Sequence, residues 1–349
     1  MVSEPELTIR RLLYGQLLSR AVQTFAELEV ADRLGDADRP VAELAAECRV
    51  PVDPLRRLLR ALAAFDLVAE SAPEVFRLRP LGAAVRAGAP ASALPTAQLA
   101  AGEVGTAWDH LLDTVRTGTP AFERLFGTGF FGYLERKPGL RAVFDRSQAA
   151  GLELELPEVL RRLDLAGAGT AVDVGGGDGA LLAALLAAAP GWRGVLVDRP
   201  EAVAAAERRF ADAGLADRCA ARPGDFFAEL PGGGDLYLLR HILHDWADEP
   251  GRAVLASCRR ALATGPAGAR LVVVEQAAAA RGDTGEEARF AALLDLYMLS
   301  LFGGGRERTV DELVDLLGTA GLSVVSVAPL PGGAVLIEAV LGVDGGGRR

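Results

Sequence analysis

Ala171-Val-Asp-Val-Gly-Gly-Gly-Asp-Gly-Ala180 is the stretch on which the fold turns. Residues of strand character run straight into glycines, and a helical run, Gly179–Ala189, follows at once. Glycines let the chain turn sharply and bring its amides against a ligand at a helix N-terminus. Gly175-x-Gly177-x-x-Ala180 also fits a dinucleotide fingerprint, so the loop alone leaves the ligand open.

Downstream of this loop, short apolar runs alternate with helical stretches. Thr170–Val174, Val195–Asp198, Asp235–Leu239 and Arg270–Glu275 read as strands, with helices at Glu201–Ala213 and Gly251–Leu262. The alternation predicts an α/β fold: a Rossmann-like, mostly parallel sheet with helices on both faces. Ser323–Pro329 and Ala334–Val340 flank a Pro-Gly-Gly turn and predict an antiparallel C-terminal hairpin. Residues 166–343 form the predicted ligand-binding domain, and 344–349 a frayed tail.

Upstream, from Glu6 to about Gly88, apolar residues recur at the helical period. A helix opening at Pro40, a turn at Val50–Asp53, a second helix and two short extended runs (Val68-Ala-Glu and Val75-Phe-Arg-Leu) make a winged-helix pattern. Asp53 is the predicted N-cap of the second helix and Pro54 its first residue. Such a helix would offer Arg56, Arg57 and Arg60 to a DNA groove. Residues 1–90, however, hold 12 arginines against 13 acids, where a groove reader should be basic. Residues 1–95 are therefore expected to be a mainly α packing or dimerisation module. Residues 96–165 read as a helical linker rich in aromatics, a credible pocket wall.

Composition bounds the alternatives. With 37 basic and 47 acidic residues the net charge is −10, which argues against nucleic acid or anionic membrane as a partner. Half the residues are apolar, which excludes a disordered chain. Cys48, Cys219 and Cys258 are scattered, and neither they nor His110, His241 and His244 show metal-ligand spacing, so no metal is expected. The N-terminus lacks an apolar signal core, and the least charged stretch, Leu316–Ile337, is broken by prolines and glycines. A cytoplasmic chain is expected.

Three carboxylates refine the ligand. Asp198, at the tip of the second strand, can accept both ribose hydroxyls of an adenosine. Asp173, just ahead of the glycines, suits a cationic amino-acid group better than a pyrophosphate. Gly224-Asp225-Phe226-Phe227, after the third strand, offers a carboxylate for the adenine amino group and an aromatic face. Together they favour S-adenosylmethionine over a nicotinamide dinucleotide. Asp235-Leu-Tyr-Leu-Leu-Arg-His-Ile-Leu-His-Asp-Trp closes strand four and brings His244 and Asp245 to the crevice. An imidazole there suits a base that removes a phenol proton, with either Glu275 or Glu307 steadying its second nitrogen. His241 and His110 read as structural.

At this point the chain, from about residue 10 to 340, resembles the small-molecule O-methyltransferases that include plant caffeate and bacterial polyketide O-methyltransferases. The resemblance rests on DVGGGDG (173–179), LVDRPE (196–201), GDFF (224–227), LRHILHDWADE (239–249), VVVEQ (272–276) and GGRERT (304–309). TGTPAF (117–122) and FFGYLERKPGL (130–140) also look like family sequence. It implies a homodimer through the N-terminal domain and methyl transfer to a small aromatic acceptor. It also implies His244 as general base flanked by Glu275 and Glu307. Cofactor contacts are implied at Gly175, Gly177, Asp198, Arg199, Asp225, Phe226 and Arg240, and acceptor contacts at Trp108, Phe131, Leu140, Phe144, Asp245 and Met298. Gln148 stands where the family usually has methionine, and implies an acceptor with a polar group there or a differently shaped pocket. Alternatives are a relative that uses the cofactor for hydroxylation, decarboxylation or rearrangement, and a winged-helix regulator that senses a small molecule.

Overall fold

The computed structural model describes residues 4–342, so the predicted tail at 344–349 lies outside the described residues. The chain forms two compact units. Residues up to 106 together with 138–151 make the first, and 107–137 with 152 onward make the second. The predicted linker 96–165 is thus shared between them, as is the long helix Pro138–Arg162.

In the first unit, the helix Val52–Ala63 buries Leu55, Leu59 and Leu62, one stripe of its surface, in a core with Phe25, Leu44 and Phe76. Its N-terminus differs from the expectation. Pro51 precedes the first helical residue with no side-chain cap, and Asp53 instead holds Arg56 at 2.7 Å. Strands β1 (Arg39–Pro40), β2 (Val68–Ala72) and β3 (Val75–Leu78) form a small antiparallel sheet in the order β1-β3-β2. Glu74 beside it pairs with Arg56 at 2.7 Å, and Glu70 with Arg60 at 2.8 Å. Two of the three arginines that a groove reader would present are therefore neutralised within their own unit. The helix Glu4–Leu13 buries nothing, and Leu7, Ile9, Leu12, Leu13 and Leu17 are exposed.

The second unit is built on seven strands: β4 (Gly169–Val174), β5 (Trp192–Asp198), β6 (Cys219–Pro223), β7 (Leu236–Arg240), β8 (Arg270–Gln276), β9 (Leu322–Pro329) and β10 (Ala334–Leu341). Their order is β6-β5-β4-β7-β8-β10-β9. The first five run parallel, while β10 lies antiparallel to both β8 and β9, which gives the predicted hairpin. Alternate residues enter opposite cores, as the two-residue period of a strand requires. Val272, Val274 and Leu336 pack with the helices Ala180–Ala188 and Pro200–Asp212. Leu271, Val273 and Ile337 pack with Asp248–Leu262 and Val310–Thr319. Because β4 has β5 on one side and β7 on the other, the strand order reverses at its tip, and the crevice of such sheets opens there. Among the described residues, no helix is long and apolar enough to cross a membrane.

Candidate active site

The glycine loop leaves β4 through three left-handed residues, Gly175 (φ 72°), Gly177 (φ 60°) and Gly179 (φ 78°). A side chain at Gly175 would strike Ile242, and one at Gly179 would strike Phe210, whereas Gly177 faces open space. That is a cradle shaped for close approach to a ligand. Asp198 ties the loop to β5. Its Oδ2 accepts the Gly177 N–H at 2.8 Å and its Oδ1 the Arg199 N–H at 2.7 Å. Asp178 pairs with Arg209 of the helix Pro200–Asp212, a second tie. Beneath the loop, Asp173 is 1 % exposed and its Oδ2 accepts no hydrogen bond among the described residues. Burial, reinforced by the charge of Asp198 and opposed by Arg240, pushes its carboxyl up to about 7. An orphaned buried carboxylate beside an open glycine loop fits a cationic group on a nucleoside-bearing ligand.

The other predicted cofactor residues border the same strand tips. Gly224 brings its backbone so near β5 that a Cβ would lie 2.7 Å from Val197. Asp225 accepts the Phe227 N–H at 2.9 Å, which shapes the turn, and Phe226, Phe227 and Trp246 form an aromatic cluster with ring centroids 4.8 to 6.3 Å apart. Arg199 pairs with Glu135 at 2.7 Å and lies over the ring of Phe131. Arg240 donates to Glu155 at 2.8 Å.

The imidazole of His244 sits in a 3-10 turn, Leu243–Asp245, directly after β7. The turn is aimed by His241, whose backbone is left-handed (φ 52°) and whose N–H donates to Val274 of β8. Glu275 of β8 accepts the N–H groups of Ile242 at 2.9 Å and Leu243 at 2.6 Å with one oxygen. Its other oxygen lies 3.8 Å from His244 Nδ1, while Glu307 is nearer, 3.2 Å from the same nitrogen. The choice between the two acids thus resolves into a division: Glu307 faces the ring, and Glu275 chiefly holds the backbone that carries it. Asp245 Oδ1 lies 3.6 Å from Nε2. Burial alone would lower the His244 pKa, but Glu275, Glu307 and Asp245 outweigh it and raise it to about 10. Burial raises Asp245 to about 7, against the pull of His244 and with the push of Glu275 and Glu307.

Three supports escaped the sequence reading. Glu155, on the long helix, holds both Arg240 and His241 (3.0 Å to its Nε2). Burial disfavours that carboxylate's charge, yet His241 and Arg240 bring its pKa down to about 2. Arg308, 2 % exposed, donates to the Leu243 and Trp246 carbonyls at 2.8 and 2.7 Å and clamps the histidine turn. Asp295 accepts the Glu307 N–H at 2.9 Å. Only Arg308, inside GGRERT, lay in a stretch that the sequence singled out.

Of the predicted acceptor residues, Trp108 meets Tyr297 edge-on at 6.0 Å, and Phe131 lies 5.5 Å from Phe302. Met298 is buried on the helix Glu286–Leu301. Leu140, Phe144 and Gln148 lie on the N-terminal half of the long helix, within the first unit.

Two family profiles match the chain: an O-methyltransferase domain over residues 108–323 and an O-methyltransferase dimerisation domain over residues 10–85. O-methyltransferase SfmM3 of Streptomyces lavendulae is 48 % identical over 335 residues, covering 95 % of this chain and 99 % of that protein. Among solved structures, LaPhzM superposes with a TM-score of 0.86 at 36 % identity, covering 97 % of this chain and all of the other. NcsB1, an O-methyltransferase from neocarzinostatin biosynthesis solved with S-adenosylmethionine and 2-hydroxy-5-methyl naphthoic acid, gives 0.77 at 34 % identity, covering 93 % and 96 %. With both units matched, relatives alike over nearly their whole length and a glycine cradle suited to the donor, the chain belongs to the O-methyltransferase family, an enzyme whose cofactor is S-adenosylmethionine.

Proposed function

We propose that this enzyme methylates a phenolic hydroxyl of a small aromatic acceptor, with His244 as general base. The observation that carries the reading is the ring itself: Glu307 lies against Nδ1, and Nε2 is the nitrogen left to meet an acceptor. S-adenosylmethionine, when bound, supplies a methyl group already activated by its sulfonium charge. His244 takes the hydroxyl proton, and Glu307 stabilises the imidazolium that results. His244 sheds its resting proton more readily when a second cation shares the crevice, since like charges disfavour one another. Asp245 accepts a hydrogen bond from the acceptor beside that ring. Asp198 holds the ribose after exchanging its Gly177 contact, Asp225 and Phe226 border the adenine, and Asp173 with Arg240 meets the zwitterionic end. Trp108, Phe131 and Met298 of the second unit contact the acceptor, and two copies join through the exposed apolar face of the first unit.

Mass spectrometry of reactions with S-adenosylmethionine and a panel of hydroxylated aromatics tests the reading. A gain of one CH₂ unit at a phenolic oxygen supports it. A product hydroxylated or decarboxylated without added CH₂ refutes it.

A further inference from the structure

The sequence shows no metal-ligand spacing, yet folding assembles a ligand set. His241, His244 and Glu275 each present one donor atom, and these atoms lie within 4.8 Å of one another. The two imidazole rings are 5.3 Å apart, centroid to centroid. Among the described residues Glu275 Oε2 accepts no hydrogen bond although its residue is 1 % exposed, so a buried carboxylate oxygen is left within the group. Glu155 lies 3.0 Å from His241 Nε2, the outer carboxylate that fixes a ligating histidine's orientation and leaves its other nitrogen with a lone pair. Two further carboxylates, Asp245 and Glu307, lie 3.6 and 3.2 Å from the His244 ring nitrogens.

We infer that His241, His244 and Glu275 form a binding site for a divalent transition ion, zinc above all, and that an ion there blocks methyl transfer. Two imidazoles and a carboxylate suit zinc, cobalt or nickel far better than magnesium or calcium. Ligand atoms about 2.0–2.2 Å from a tetrahedral zinc stand roughly 3.4 Å apart, so the side chains close by on the order of 1 Å on binding. The His244 nitrogen beside Glu275 is Nδ1, so an ion there displaces the Glu307 contact and draws electron density from the ring, which leaves Nε2 a poorer acceptor for the phenol proton. Inhibition thus rests on the proposed role of His244, whereas binding does not.

The test titrates cobalt(II) into chelator-treated full-length enzyme and follows its visible d–d absorption. Saturable binding of one equivalent, displaced by zinc, is expected. The decisive variant is His241→Asn, because asparagine tolerates the left-handed backbone at 241. The variant's own methyl transfer in chelator is the reference against which its inhibition is read, and circular dichroism checks that it is folded. Cobalt affinity should fall at least the roughly 10–100-fold that losing an outer-sphere partner costs, and the zinc concentration for half-inhibition should rise in step. No cobalt band in the wild-type enzyme, or an unchanged one in the variant, overturns the site. Binding without inhibition supports the site and counts against His244 as the base.

Discussion

Replacing Asp173 by asparagine should move stability and cofactor affinity in opposite directions. The carboxyl stands at about 7 in the folded chain against an ordinary value of 3.8, so the fold disfavours its charge. For an acid whose pKa is raised on folding, the penalty is absent below 3.8. It grows as the unfolded chain ionises and is complete above about 7. About 3 pH units at 1.36 kcal/mol each set an upper bound of about 4 kcal/mol. A neutral amide at the same place keeps a desolvation cost of about 1–3 kcal/mol. The ligand-free variant should therefore gain on the order of 1–3 kcal/mol at pH 8 and, where the wild-type carboxyl is largely neutral at pH 4, lose about 1–3 kcal/mol instead. Urea unfolding at several pH values reads this difference. If the carboxylate meets a cationic group of S-adenosylmethionine, the variant should lose about 1.5–3 kcal/mol of binding, roughly 10–150-fold in Kd by calorimetry. Wild-type affinity should also rise with pH up to about 7, and the variant's should not. A variant less stable than wild type at pH 8, or one that binds the cofactor as tightly, would refute the reasoning.

Other substitutions probe the remaining parts. His244→Ala should lower turnover by roughly 10²–10⁴-fold with cofactor affinity nearly unchanged, so near-normal turnover across pH would dismiss it as the base. Glu275→Gln, which weakens a charged acceptor shared by two buried amides, should cost about 1.5–3 kcal/mol in urea unfolding. Glu307→Gln should instead depress kcat with a smaller stability loss, and equal effects in both assays would erase the division between the two acids. Asp198→Ala should weaken S-adenosylmethionine binding, and calorimetry with unchanged affinity would end the ribose assignment. Leu12→Asp, on the exposed face of the helix Glu4–Leu13, should shift the mass measured by light scattering from two chains toward one.

Much of the second unit was legible because its signals are local. A strand, a glycine loop and a helix are neighbours in sequence, and the alternation of apolar runs with helical stretches follows from side-chain period alone. The same locality placed His244 at the tip of β7 and Asp198 at the tip of β5. Where a signal was weak the reading slipped. Asp53 has the chemistry of a cap, but Arg56 three residues on captures its carboxylate, and the helix starts from Pro51 instead.

By itself the sequence determined the order of elements, the cradle at 175–179 and the imidazole after the fourth parallel strand, since each depends on residues a few positions apart. Tertiary structure decided which acid faces that imidazole. It also brought Glu155 to His241 across 86 residues and set Arg308 over the turn that carries His244. Those pairings depend on the register of β7 against β8 and on where helices settle on the sheet. Contacts of that kind leave no period in the chain, because packing in three dimensions selects the partners.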